Sequence, residues 1–383
     1  MSGRSSSSPL SIVVLGLSIT SSWGNGHAIT YRGLIRALNA RGHDVLFLER
    51  DVPRYAGQRD LPEPPWCRAC LYGTLEELRD AHADTVRRAD LVIVGSCVPD
   101  GVAVGEWALA TAEGVVAFYD LDTPITLGKL ESGDEEYLAA RLVGRYDLYL
   151  SFTGGPMLQR LEREYGSPRA RALYCSVDPE IHRPLPEPER WDLGYLGTYS
   201  DDRQPGLERL LLSPARAWNE GRFAVAGPQY PDSVSWPANV ARVEHLSPPE
   251  HAAFYSAQRF TLNITRARMI AAGWSPSVRL FEAAACGVAI ISDRWDGLET
   301  LLEPDREIII ADHPREVLRW LRETPPERAR EVGAAARRRV LAQHTAERRA
   351  RELEGHLDEV RRGVGKWRSR PGGTLQRARS ASA

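Results

Sequence analysis

The chain of 383 residues is long enough for two domains that each bury a core of their own. Its 49 basic and 51 acidic side chains leave a formal charge of −2, which argues against a nucleic-acid binder that works by neutralising phosphates. The five cysteines are scattered, which indicates no disulfide framework and predicts a reducing, cytoplasmic compartment. Because no apolar run is long enough to cross a bilayer, membrane contact is expected to be peripheral at most.

The chain opens with the pattern of a Rossmann-like half. The predicted elements are, in order, a disordered Ser-rich leader, a strand, a Gly-rich loop, a helix and a strand, over residues 1–9, 12–17, 24–27, 28–40 and 44–49. A strand, a Gly-rich loop, a helix and a second strand are typical of a nucleotide-binding βαβ unit. The loop Gly24-Asn25-Gly26 lacks the G-x-G-x-x-G spacing, so a nicotinamide cofactor is not expected.

Further buried strands predict that this first domain spans residues 10–177. Residues 51–73 are rich in Pro and Arg and are interpreted as a surface excursion. Asp122 follows the apolar run 115–119, and the carboxyl ends of parallel strands are where open α/β sheets bind ligands. The alternative is that Asp122 only caps a turn before Pro124.

A proline-rich connector, residues 178–190, separates this half from a second predicted domain, residues 191–340. The second half restarts with a strand over 191–196, and Gly197 opens the loop that holds Arg203. A later strand is expected to bring Asn263 to the same edge of the sheet.

The stretch from Ser275 to Glu303 carries the strongest signal. It predicts a short helix that contains Arg279 and Glu282, then a buried strand, a turn and another helix start. A guanidinium is suited to phosphate, and a carboxylate can hold the two hydroxyls of a ribose. The alternative is an ordinary helix-strand-helix unit with a buried ion pair.

The nine residues from Arg279 to Gly287 resemble the R-x-F-E-A-x-A-C-G signature of CgeB-like (spore maturation protein) glycosyltransferases. The resemblance implies an α/β protein of the GT-B architecture, in which two Rossmann-like domains face each other across a cleft. It also implies that a helix over residues 341–362 packs back toward the first domain. A disordered basic tail over residues 363–383 is expected to follow.

Within this resemblance, the donor is a nucleotide-diphosphate sugar, used without a cofactor. The residues that we expect at the donor are Gly197, Arg203, Asn263, Ser277, Arg279, Glu282, Gly297 and Glu299. No metal is expected, because the second domain has no D-x-D motif. The acceptor is unknown and could be a glycan, a protein or a small molecule. A nucleotide-sugar epimerase and a catalytically idle nucleotide-sugar-binding module are the two alternatives.

His27 is the candidate general base, with Asp122 as its partner, and the loop Gly24-Asn25-Gly26 lines the cleft beside it. The alternative is a histidine that only caps or packs at a helix start. Many retaining relatives carry a glutamate eight positions before the ribose glutamate, where this chain has Trp274. The sequence therefore leaves both the transferred sugar and the stereochemical course open.

Overall fold

The computed structural model describes residues 8–368, and two parallel β-sheets organise them. The predicted leader therefore lies outside the described residues except for residues 8 and 9, and the predicted tail does so from residue 369 onward. Among residues 8–368, no helix combines the length and the apolar character needed to cross a membrane.

The first sheet has a central group of strands that are buried on both faces. Its strands within the described range are β1 (Ser11–Gly16), β2 (Asp44–Arg50), β3 (Arg68–Tyr72), β4 (Leu91–Gly95), β5 (Val115–Asp120), β6 (Leu148–Ser151) and β7 (Ala170–Ala172). They pair in the order β3-β2-β1-β4-β5-β6-β7, and every pairing is parallel. All five residues of β4 are buried, as expected where helices cover both faces of a parallel sheet.

The helices of the first domain connect these strands. They are α1 (Gly26–Ala40), α2 (Pro53–Ala56), α3 (Leu75–Arg88), α4 (Gly101–Thr111), α5 (Thr123–Glu131), α6 (Ala140–Val143) and α7 (Pro156–Arg163). The interpretation of residues 51–73 as a surface excursion is wrong in part, because β3 extends the sheet beside β2. As an edge strand, β3 buries only Tyr72 fully and lacks the apolar run of a central strand.

The second sheet has the order β10-β9-β8-β11-β12-β13, again entirely parallel. Within the described residues its strands are β8 (Trp191–Leu196), β9 (Phe223–Ala226), β10 (Val240–Val243), β11 (Gln258–Asn263), β12 (Ala289–Ser292) and β13 (Ile309–Ile310). Its helices are α8 (Gln204–Leu207), α9 (Ser213–Ala217), α10 (His251–Ser256), α11 (Ala267–Ala272), α12 (Val278–Ala285), α13 (Leu298–Leu301), α14 (Pro314–Glu323) and α15 (Pro326–Gln343). A π-helical turn, Glu208–Leu212, joins α8 to α9, and a 3₁₀ turn, Pro248–Glu250, precedes α10.

The chain crosses between the sheets twice, at residues 178–190 and again just after α15. The last helix, α16 (Ala346–Arg368), packs on α1 and adds buried apolar side chains to the core of the first domain. The two crossings lie side by side, because Val177 N donates to His344 O and Ala346 N donates to Val177 O, at 3.0 and 3.1 Å.

The predicted bounds of the final helix, 341–362, are wrong at both ends. The oxygen Oγ1 of Thr345 accepts a hydrogen bond from Arg348 N at 3.3 Å, so the chain breaks and is capped again before α16 begins. The helix then continues to Arg368, so residues 363–368 are helical and not part of a tail.

Candidate active site

The carboxyl ends of the two sheets face one cleft. On the first-domain side, the loop after β6 places Thr153 Oγ1 2.8 Å from Ser275 Oγ of the second domain. Gly154 N also donates to Trp274 O at 3.0 Å. The cleft is therefore closed at one end by direct hydrogen bonds between the domains.

A buried carboxylate holds the loop that leads into α1. Glu49, at the end of β2, accepts hydrogen bonds from Ser18 Oγ, Thr20 Oγ1 and the backbone N–H groups of Ile19 and Thr20, at 2.7 to 3.1 Å. The loop then turns through Gly24, whose φ of +59° favours glycine. These contacts fix where the first turn of α1 begins.

His27 and Asp122 meet in this cleft. Asn25 caps α1 by accepting a hydrogen bond from His27 N at 3.0 Å, and Gly26 is the first residue of the helix. The ring atom Nε2 of His27 lies 2.7 Å from Oδ2 of Asp122, which precedes the first residue of α5. The side chains are 13% and 30% exposed, so the pair remains accessible at the cleft surface. Asp122 does not cap α5 with its side chain, and the carboxylate is free to serve His27.

The charge of Asp122 is stabilised from both domains. Burial alone would raise the pKa of this carboxyl, but the hydrogen bond and charge of His27, together with the charge of Arg266 in the second domain, lower it. An ionised Asp122 accepts a hydrogen bond from Nε2–H of His27, so the lone pair of the ring lies on Nδ1. That atom is buried and has no hydrogen-bond partner within residues 8–368.

Arg203 and Arg279 bring positive charge to the opposite wall. Burial of Arg203 lowers its pKa, and the positive charges of Arg279 and Arg266 lower it further. Arg203 donates only to a carbonyl, Thr198 O at 2.8 Å, and its Nε has no partner within the described chain. Among residues 8–368, Arg279 makes neither a hydrogen bond nor an ion pair. Such unpaired guanidinium groups are suited to an anionic ligand.

The other predicted donor residues lie at or near the carboxyl edge of the second sheet. Ser277 Oγ donates to Asn263 Oδ1 at 2.9 Å and links the end of β11 to the start of α12. Gly197 directly follows β8, and its carbonyl accepts a hydrogen bond from Tyr230 Oη at 3.1 Å. Gly297 precedes α13 with a φ of +91°, whereas Glu299 is exposed on that helix. Their roles toward a donor remain predictions.

Glu282 has partners that the sequence analysis did not anticipate. Its carboxylate lies 3.6 Å from Nε2 of His182 and 3.7 Å from Nδ1 of His251, and only 2% of Glu282 is exposed. Burial raises the pKa of Glu282, but His251, His182 and the charge of Arg279 outweigh burial and bring it to about 2. Glu282 is therefore an ionised carboxylate in the interior. Arg279 acts on it through its charge, and the two described side chains form no hydrogen bond or ion pair with each other.

Trp274 fills the space between the two domains. It has an unusual φ of 44°, and its indole lies directly against Gly155 of the first domain and Gly297 of the second. A Cβ at either glycine would come within 2.4 Å of the ring, so both positions require glycine.

Two clusters in the described chain have ligand atoms close enough to hold a metal ion. They are His27, Cys97 and Asp122, and His182, His251 and Glu282. Burial raises the pKa of the Cys97 thiol to about 12, which disfavours the thiolate that would bind a metal. Neither cluster tests the prediction that the protein uses no metal.

Three residues of the site, His182, His251 and Arg266, were not predicted from the sequence. His182 lies in the connector, which was assigned from its prolines alone, and His251 follows two prolines at a helix start. Neither histidine therefore belongs to a recognisable binding or catalytic motif. Arg266 follows the end of β11 by three residues, and this position past a parallel strand is a signal that could have identified it.

Comparison with known proteins agrees with the fold. Residues 203–355 match a family model described as glycosyl transferase-like. No curated protein matches the chain significantly.

Several solved structures share the fold. The sucrose-phosphate synthase of Thermosynechococcus elongatus superposes with a TM-score of 0.65 at 16% identity, over 92% of this chain and 99% of that one. HepE of Anabaena, in complex with UDP and glucose, gives 0.67 at 11% identity, over 91% and 100%. An alpha-glucosyltransferase, in complex with UDP-glucose and DNA containing an abasic site, gives 0.67 at 12% identity, over 91% and 98%. The chain thus has the GT-B fold, with a glycosyltransferase-like second domain.

Proposed function

We propose that this protein is a CgeB-like glycosyltransferase, which moves a sugar from a nucleotide-diphosphate donor to an acceptor hydroxyl without a metal. The observation that carries the proposal is the pairing of two features across one cleft. Arg203 and Arg279 offer unpaired positive charge on one side. His27 and Asp122 form a 2.7 Å hydrogen bond on the other.

The donor diphosphate would bind at the arginines. Two guanidinium groups and the N-terminus of α12 can balance the charge that develops on a leaving diphosphate. Glu282 would accept hydrogen bonds from the ribose hydroxyls. Because structures with the same fold contain UDP or UDP-glucose, uridine nucleotides are the first donors to test.

His27 would act on the acceptor. An ionised Asp122 keeps the Nε2–H tautomer in place. Once a local movement exposes Nδ1, which is buried in the structure, that atom takes the acceptor proton as the acceptor oxygen bonds to the anomeric carbon. The bond from that carbon to the diphosphate breaks, and the diphosphate leaves with its electron pair. This base would serve an inverting displacement, because a retaining mechanism needs none on the acceptor side.

The decisive experiment incubates the protein with a panel of nucleotide sugars, with and without candidate glycan, protein and small-molecule acceptors. Release of nucleoside diphosphate that grows with added acceptor supports a transferase. Interconverted sugar with no acceptor dependence would indicate an epimerase, and binding without any turnover would indicate an idle module. Failure to bind any nucleotide sugar would contradict the proposal.

We also place the protein in the cytoplasm, where its thiols stay reduced. All five cysteines are free in the structure. Fractionation of cells that express the protein, with alkylation of its thiols before lysis, tests this placement. Thiols blocked by oxidation in intact cells would contradict it.

A further inference from the structure

Three side chains from separate parts of the second half converge on one buried point. Glu282 lies within α12, His251 begins α10, and His182 belongs to the connector between the domains. Glu282 and His182 are 2% and 5% exposed, and His251 is the most accessible of the three.

The cluster lacks hydrogen bonds that buried polar groups ordinarily make. Both ring nitrogens of His182, Nδ1 of His251 and Oε1 of Glu282 have no partner among residues 8–368. The separations of 3.6 and 3.7 Å suit charge attraction but exceed hydrogen-bond length. Because buried polar atoms are nearly always hydrogen-bonded, the cluster is suited to a ligand that both donates and accepts.

The neighbouring charge decides between two kinds of ligand. An ionised carboxylate accepts hydrogen bonds only, so it calls for a cation or for hydroxyl donors. The positive charge of Arg279 is close enough to act on Glu282, and this repels a second cation. Arg279 lies one turn before Glu282 on α12, so the carboxylate lies within reach of the proposed diphosphate site. A vicinal diol joined to a diphosphate satisfies both conditions, and the ribose of a nucleoside diphosphate has that chemistry.

We propose that His182 and His251 are positioning residues, which hold the Glu282 carboxylate in the orientation that receives the ribose hydroxyls of the donor. This inference rests on the proposed function. It adds that recognition of the ribose requires the connector, through His182, and not only the second domain. Asp178 in the same connector accepts a hydrogen bond from Arg36 Nη1 of α1 at 2.6 Å. The connector therefore joins the ribose site to the helix that carries His27.

The test compares UDP with 2′-deoxy-UDP by titration calorimetry, on the full chain and on the variants His182→Phe and His251→Phe. We expect the wild type to bind UDP about ten-fold or more tightly than the deoxy form, as for a charge-assisted hydrogen bond. In both variants this ratio should fall toward one. A purely structural role would change folding or both affinities together and leave the ratio intact.

His356→Phe is the matched control, because it changes a partly buried histidine of α16 far from the cluster, and the ratio should stay as in the wild type. A wild type that binds UDP without preferring the ribose, or variants that keep the preference, would overturn the inference but not the proposed function. Absence of binding to every nucleoside diphosphate would overturn both. One metal ion per purified chain, lost in both variants, would also overturn the inference, because the cluster would then be a metal site.

Discussion

The two domains each place histidine beside a carboxylate, but with opposite geometry. In the first domain, His27 and Asp122 share one 2.7 Å hydrogen bond and remain partly exposed. In the second, two histidines stand 3.6 and 3.7 Å from a nearly inaccessible Glu282. The first pair is joined by one short, directional hydrogen bond, and its side chains are partly exposed. In the second cluster the separations are longer, the carboxylate is nearly inaccessible, and the two histidines stand at similar distances from it.

The difference shows how one pair of residue types can serve two purposes. A single short hydrogen bond fixes a tautomer and leaves the second ring nitrogen without a partner, which is the arrangement needed to move a proton once an acceptor can reach that atom. A buried carboxylate between two histidines keeps its charge in an apolar interior, which is the arrangement needed to bind. The variants below test this difference between a pair that moves a proton and a cluster that binds.

The largest effect is expected for His27→Ala. Removal of a general base should lower turnover by about 100-fold or more, with donor affinity unchanged. Steady-state kinetics and calorimetric donor binding measure the two quantities separately. Asp122→Asn should also lower turnover, because an amide no longer enforces the Nε2–H tautomer. Near-normal turnover in His27→Ala, or a product that retains the donor's anomeric configuration, would contradict the role of the base.

A smaller loss is expected when the arginines are removed. Arg203→Ala and Arg279→Ala should each weaken binding of the nucleoside diphosphate by about 1.5–3 kcal/mol, the range for hydrogen bonds to charged groups. The free nucleoside should bind as before. Arg294→Ala, at an exposed residue paired with Asp312, serves as the control and should change neither affinity. Equal losses for both ligands would show that the arginines act through folding.

Glu282→Gln should change how stability depends on pH. The pKa of Glu282 is about 2, below the ordinary value near 4.5, so its charge stabilises the fold above pH 4.5 and that contribution is lost as the pH falls toward 2. Between pH 6 and pH 3, the free energy of unfolding should fall about 2 kcal/mol more in the wild type than in the variant. Urea denaturation at both values measures this difference. Parallel pH profiles would mean that Glu282 is not held ionised.

No effect is expected from chelation. If the arginines balance the diphosphate charge, transfer should survive EDTA, and added magnesium or manganese should not increase it. The rate of nucleoside diphosphate release with and without chelator is the measurement. Activity that vanishes and returns only with a divalent ion would remove Arg203 and Arg279 from that role.

The sequence predicted the strands that are buried on both faces and missed two strands at the edges of the sheets. The apolar run at residues 191–196 gave β8 with the correct bounds. Neither β3 nor β10 was predicted, because an edge strand exposes side chains and has no continuous apolar pattern. Period and hydrophobicity report burial, and they say little where burial is incomplete.

The same limit explains the outcome at the site. Asp122 was placed near His27 because both follow strands of one parallel sheet at its carboxyl edge, a relation that topology imposes. For Glu282 the sequence indicated the ribose hydroxyls as ligand or, alternatively, an ion pair with Arg279. Its contacting partners are instead His182 and His251, 100 and 31 residues away in the chain, and no local rule reaches across such distances.

The last helix has a consequence for how the chain is made. Ala350, Leu353, Leu357 and Val360 of α16 belong to the core formed by β1, β2 and α1, which the ribosome produces first. The first domain therefore cannot complete its core until the second has been synthesised. Early in synthesis, the apolar face of α1 that later receives α16 stays uncovered for the time needed to translate about 300 further residues, since α1 ends at Ala40 and α16 begins at Ala346. A chaperone that binds nascent apolar surface is expected to act there.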